Sequence, residues 1–250
     1  MQRDIYCKGE KKLVIRIDKY LSNAGYGTRK EIKKLIRQKR VTCGGKIVKD
    51  PALKVEKACE ITIDSEIVDL RIESHIIMNK PSGYISSNVS DADYPSVLEL
   101  IASPHPEYNI AGRLDADTTG LLILSTDGNL IHRIISPKKE VQKLYYAEVS
   151  SFDKTKKEAF FKGIEIETGV ITKPVRTFEI LEENGETSLI KIGIIEGKYH
   201  QVKRMFKAIG SEVVKLHRKA IGGLVLDETL ESGEYRELSE NELEKIFAME

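Results

Sequence analysis

The apolar positions along the chain fall into two regimes. Residues 1–13 are polar and unpatterned and are expected to form an extension. Then Ile17, Tyr20 and Leu21 recur at helical spacing, and Gly25 supplies a stop. Thr28 and Glu31 stand at the spacing of a capping box, in which the threonine hydroxyl accepts from an orphan amide and the glutamate reaches back. Behind it Ile32, Leu35 and Ile36 form one stripe, predicting a second helix. Two short β-prone runs, VTC and KIV, flank Gly44-Gly45 and predict a tight hairpin. After Pro51, CEITID at 59–64 predicts another strand. Two helices and a small sheet thus make a compact module over 14–64, and the charged, patternless stretch 65–74 is expected to be a linker.

From 75 to 250 the pattern is that of a larger mixed body. IIMN predicts a strand ending at Lys80-Pro81-Ser82-Gly83, and LLILS a fully buried one. Thr126-Asp127-Gly128-Asn129 reads as a turn, followed by a short helix NLIHRII that Ser136-Pro137 closes. LYYAEV, SLIKIGII, EVVKLHR and GLVL predict further strands. Helices are predicted in DKTKKEAFFKGI, with Asp153 as cap, in YHQVKRMFKAIG, ended by Gly210, and in SENELEKIFAM. Few helices and many hairpin-length turns indicate an α+β fold whose sheet is mixed but mainly antiparallel, rather than doubly wound.

Charge sharpens the division. The net charge is only +1, yet residues 11–60 carry fifteen Lys/Arg against five Asp/Glu, so the rest of the chain is at −9. A basic block on a mildly acidic body suits a polyanion, although a solvated helix face would look the same. The apolar runs are too short to span a bilayer, and no leader pattern marks the chain for export. Cys7, Cys43 and Cys59 are odd in number and scattered, which suits a reducing cytoplasm and neither a disulfide framework nor a zinc site.

The richest string is GRLDADTTGLLILSTDG, 112–128. It puts Asp115 and Asp117 in a polar loop immediately before a buried strand, where a side chain is both well held and reachable. A structural turn role for Asp115 is the plain competing reading. Asp115, Asp117, Thr119 and Gly120 also imitate the start of a calcium loop, but Thr126 stands where a bidentate glutamate is required, so no metal is expected. His132, His200 and His217 match no ligand spacing and read as core or surface residues. Nucleophile-elbow, Walker and dinucleotide fingerprints are missing, which argues against hydrolase, nucleotide or nicotinamide chemistry.

The string GRLDADTTGLL with its TDG turn resembles the signature of the RsuA/RluB-type pseudouridine synthases. NKPSGYISS, HRIISPKKEVQKLYYAEV and EGKYHQVKRMFKAIGSEVVKLHRKAIGGLVLD resemble further segments of that family, in the same order. IRIDKYL, GTRKEIKKLI and RVTCGGKIV resemble the RNA-binding domain named after ribosomal protein S4. The resemblance implies isomerisation of a uridine in ribosomal RNA with Asp115 as nucleophile. No atoms are gained or lost, so no cofactor is demanded. A cation from the YHQVKRM helix is expected to keep Asp115 ionised; Lys203 is favoured, with Arg204 as the alternative. The Lys-x-Tyr motif Lys143-Leu144-Tyr145 implies that Tyr145 stacks on the base and helps remove a proton, whereas strand alternation alone does not choose between Tyr145 and Tyr146. Arg113 is expected to enter the RNA or hold a phosphate, unless it merely pairs with Asp117, which itself should order the loop.

In the basic module, Arg16, Lys19, Arg29, Lys30, Lys33, Lys34, Arg37 and Arg40 are the expected phosphate contacts, with Arg204 a further RNA contact. Within the synthase family, Ala-Asp-Thr-Thr after Asp115, HRIISP and EGKYHQVKRMF most resemble the small-subunit members, a resemblance that implies uridine 516 of 16S rRNA as the target, with a 23S rRNA site as the runner-up. A non-catalytic ribosome-assembly factor is the rival of another class. The expected form is a cytoplasmic monomer without membrane contact.

Overall fold

The computed structural model describes residues 14–56, 59–68, 74–101 and 108–248, so the 1–13 extension, Cys7 and much of the expected 65–74 linker lie outside it. The described chain forms two compact units, one ending at 68 and one starting at 74.

In the first unit, β1 (Val14–Arg16) leads into α1 (Ile17–Asn23) and α2 (Arg29–Arg37). The capping box of α2 is present, with Thr28 Oγ1 accepting from the Glu31 amide and the Glu31 carboxylate from the Thr28 amide. Strands β2 (Val41–Cys43), β3 (Lys46–Ile47), β4 (Lys54–Glu56), β5 (Ile61–Ile63) and β6 (Glu66–Ile67) follow. β3-β2-β5-β6 form an antiparallel sheet, and β4 pairs with β1. Ile17, Tyr20 and Leu21 of α1 pack with Ile32 and Ile36 of α2 against Val41 and Ile61. Helix spacing and hairpin thus agree with expectation, with Gly44 and Gly45 both at positive φ as a primed turn requires.

Two expectations are corrected here. The linker does not begin at 65: β6 returns against β5 through Asp64-Ser65, both left-handed, and its charged composition hid the strand pattern. Nor are the cysteines independent: Cys43 and Cys59 form a disulfide, with Cα atoms 6.2 Å apart. Cys43 sits opposite Ile61 in the β2–β5 ladder, so the chain brings Cys59 beside it, a juxtaposition that a separation of 16 in sequence does not advertise.

The second unit is built on a nine-stranded sheet. Its elements are β7 (His75–Lys80), β8 (Asn109–Ile110), β9 (Thr119–Ser125), α3 (Gly128–Ile135), β10 (Lys143–Ser150), α4 (Lys157–Phe160), β11 (Glu165–Glu167), β12 (Val170–Ile171), β13 (Thr177–Asn184), β14 (Thr187–Ile194), α5 (Gln201–Ala208), β15 (Glu212–Ile221), β16 (Leu224–Val225), β17 (Tyr235–Glu237) and α6 (Glu240–Lys245). The order is β13-β14-β10-β15-β9-β7-β17, with β8 on β9 and β16 on β15; among the described strand pairs of this sheet only β15–β9 is parallel. The mainly antiparallel mixed sheet of an α+β fold is what the sequence pattern implied.

Both sheet faces are covered. Ile76, Met78, Leu122, Leu124, Ala147 and Ile192 face a core completed by Phe160 of α4 and Val202, Met205 and Phe206 of α5. Ile77, Leu121, Ile123 and Ile221 face the other way, against Leu130, Ile131 and Ile134 of α3. Burial on both faces explains why β9 reads as the unbroken run LLILS, while β10 alternates buried and half-buried positions. The helix expected over 153–164 shrinks to a 3-10 turn and the four residues of α4: Asp153 does cap, but Gly163 at φ 89° turns the chain away.

Candidate active site

The β8–β9 loop carries Asp115 and Asp117 and is fixed from several sides. β9 and β15 cross so closely at Gly120 that a Cβ there would lie 2.4 Å from the Arg218 carbonyl oxygen. The Leu114 amide donates to Ser86 Oγ (3.0 Å), and the Gly83 amide to the Ala116 carbonyl (2.9 Å). Lys80, at the end of β7, has no exposed surface. Its ammonium donates to the carbonyls of Pro81 (2.9 Å), Ala116 (3.3 Å) and Thr118 (2.8 Å), knitting the loop to the sheet. Burial pulls its pKa down to about 8 against the nearby aspartates.

This loop walls a cleft of about 490 Å³ with the 196–201 segment, the start of β10 and the middle of β15. Asp115 lies in it with a quarter of its side chain exposed; His200 Nε2 stands 3.2 Å from one carboxylate oxygen and Lys203 Nζ 3.5 Å from the other. Lys203 also holds both oxygens of Asp117, at 2.6 and 2.7 Å. Burial works against ionised Asp117, but the Lys203 hydrogen bonds and charge outweigh it, and its carboxyl sits below the ordinary value. The 196–201 segment is set by Glu196, which is buried and accepts from the Lys173 amide (2.8 Å) and Gln201 Nε2 (2.9 Å). His200 itself is left-handed, φ 49°, immediately before α5.

The candidate residues separate accordingly. Asp115, Tyr145 and Arg113 line the cleft, and Lys203 reaches into it from α5; Tyr145 is buried on β10, whereas Tyr146 faces partly outward. Arg113 is exposed and does not pair with Asp117, whose partner is Lys203. Arg204 turns elsewhere: it pairs with Glu167 (2.6 Å) and donates to the carbonyls of Ile166 and Tyr199, because successive helix positions point about 100° apart. Between Lys203 and Arg204, geometry therefore gives the aspartates to Lys203.

His200 is a partly exposed histidine, as expected, but its contact with Asp115 places it at the cleft, whereas His217 hydrogen bonds Thr119 (2.9 Å), its pKa lowered by burial. Arg218 and Tyr199 on the cleft wall were not expected from sequence, and Lys143, named there only as part of its motif, was given no role. EVVKLHR already carries Glu212, Lys215 and His217, so nothing in the string singles out Arg218.

In the first unit Lys19, Arg29, Lys30, Lys34 and Arg37 are exposed and Lys33 is half-buried. Arg16 and Arg40 are not free cations: the first grips Asp18 and the second makes a two-pronged pair with Asp64. No helix among the described residues is long and apolar enough to cross a membrane.

Comparison with known proteins agrees with this arrangement. Residues 74–208 match the model of the RNA pseudouridylate synthase family, and residues 15–60 that of the S4 domain. The chain is 42% identical to an uncharacterised RNA pseudouridine synthase of Bacillus subtilis, over 92% of this chain and 97% of that one. It is 39% identical to the ribosomal small subunit pseudouridine synthase A of Haemophilus influenzae (93% and 99% covered) and 38% identical to that of Escherichia coli (93% and 100%). A crystal structure of a pseudouridylate synthase superposes with a TM-score of 0.65 at 39% identity, covering 93% of this chain and 99% of the other.

Proposed function

The chain belongs to the RNA pseudouridylate synthase family and carries an S4 domain, and from that premise we propose that it converts uridine 516 of 16S ribosomal RNA to pseudouridine, with Asp115 as the nucleophile. The observation that carries the mechanism is the cleft carboxylate of Asp115 flanked by Lys203 and His200. The reaction breaks the bond between uracil and ribose, turns the ring and joins ring carbon 5 to the sugar, so one held nucleophile suffices. Asp115 bonds transiently to the everted nucleotide, Lys203 supplies positive charge beside it, His200 holds the carboxylate from its other side, and Tyr145 stacks on the ring and assists the late proton removal.

The chain works as a cytoplasmic monomer. Its domains are read as an extension over 1–13, an S4 module from 14, and a catalytic domain over 75–250. Lys19, Arg29, Lys30, Lys33, Lys34 and Arg37 grip phosphates of the folded RNA, Arg16 and Arg40 contribute less through their internal pairs, and Arg113 meets the strand beside the everted base. The names of the Haemophilus and Escherichia relatives favour the small-subunit target over a 23S site. Carbodiimide-dependent reverse-transcription stops in RNA from a deletion strain test this. Loss of the 16S stop at uridine 516 is expected; loss of a 23S stop contradicts the target, and no loss anywhere would leave an assembly factor.

A further inference from the structure

The cleft sorts its charges. On one side Lys203 and His200 meet Asp115 and Asp117. On the inner side stand two cations with no carboxylate partner among the described residues. Arg218 is 2% exposed and Lys143 8% exposed, and both line the cleft. Arg218 Nε donates to the Leu121 carbonyl (2.7 Å) and Nη2 to that of Gly112 (3.3 Å), while Nη1 has no hydrogen bond among the described residues. Lys143 Nζ donates to the Ile134 carbonyl alone, at 3.3 Å. Lys80 offers a contrast, since three carbonyls occupy its three donors.

Burying an unpaired cation is costly, and two in one cleft repel as well. Burial and Arg218 together draw the pKa of Lys143 down to about 8. Such an arrangement suits a site that an electron-rich group enters. Thr118 adds to it: its hydroxyl on the cleft wall is buried without a partner among the described residues.

A phosphodiester cannot leave its strand to reach side chains this buried, but an everted base can. We propose that Arg218 and Lys143 form the seat of the uracil ring and neutralise the negative charge that builds on its carbonyl oxygens during the exchange. The proposal rests on the reading of Asp115 as nucleophile. In one route the bond between ring nitrogen 1 and the sugar breaks with its electron pair left on the ring, and the Asp115 carboxylate takes the sugar carbon. Ring carbon 5 then displaces the carboxylate and gives up its proton, and nitrogen 1 gains one, so atoms and electrons balance. If Asp115 instead adds to the ring, the displaced pair moves onto a carbonyl oxygen. Both routes place charge on the oxygen of ring carbon 4, the first on that of carbon 2 as well, and preorganised cations beside them lower the barrier.

Full-length Lys143→Met and Arg218→Lys proteins test this on RNA bearing uridine, 2-thiouridine or 4-thiouridine at the target, with melting and RNA affinity as controls. Each variant is expected to bind RNA as the parent does but to lose about 100-fold or more in single-turnover rate. Sulfur at the affected carbonyl should slow the parent and add little to the slowing in the variant. The proposal is overturned if the folded variants react within about threefold of the parent, or if sulfur slows variant and parent by the same factor. An Asp115→Asn protein that turns over at the parental rate would instead remove the underlying reading.

Discussion

At the scale of single residues, Lys203 is the hinge of the account, because its ammonium touches two carboxylates that would otherwise repel. It lies 2.6 Å from Asp117 and 3.5 Å from Asp115, so Asp117 steers the cation while Asp115 remains partly accessible. Replacing it by methionine leaves both carboxylates without their ammonium. Lys203→Met is expected to lower kcat about 100-fold or more with KM within about threefold, read by tritium release from RNA labelled at uracil carbon 5. Asp115, Tyr145 and Lys203 could be picked out because they sit in short strings, and the structure brings the three together at one cleft. His200 was not, since its place depends on a left-handed backbone and on a loop set by buried Glu196. Arg218 was hidden by its setting in a strand, where a charged residue ordinarily faces solvent.

Secondary-structure elements show the same contrast. β9 declares itself because both its faces are covered, and α2 because its cap and stripe are local. β13 escaped notice: it is an edge strand whose Glu179, Glu182 and Glu183 are exposed, leaving little alternation to read. β1 and β17 are three residues each, too short for any period to emerge. The disulfide joins strands whose neighbourhood only tertiary structure defines. Helix α2 presents Lys30, Lys34 and Arg37 to solvent without ion partners among the described residues, and it is the element from which salt-sensitive binding should arise. Changing all three to glutamine is expected to flatten the log affinity against log salt plot by about 2, near 0.7–0.9 for each phosphate contact. Arg40→Gln should change that slope less, because Asp64 already neutralises the guanidinium. A titration of RNA affinity across salt concentrations separates the two.

For the whole molecule, the buried lysines link stability to pH. Lys80 and Lys143 each sit at about 8 when folded, against 10.5 as the ordinary value. Between these pH values the unfolded chain binds more protons than the folded one, so stability contributed by these groups rises with pH there, by at most about 1.4 kcal/mol per pH unit for each. Tyr20, raised by burial to about 12, works oppositely above pH 10. Melting temperatures from pH 8 to 10 should therefore climb less steeply in Lys80→Met than in the parent; equal slopes would count against a buried charged Lys80. The basic module and the sheet body are separate units, and binding and chemistry should separate with them. Tritium release by Asp115→Asn measures this most directly, with RNA affinity determined in parallel. The account predicts no detectable release with affinity unchanged, and release at the parental rate would contradict it.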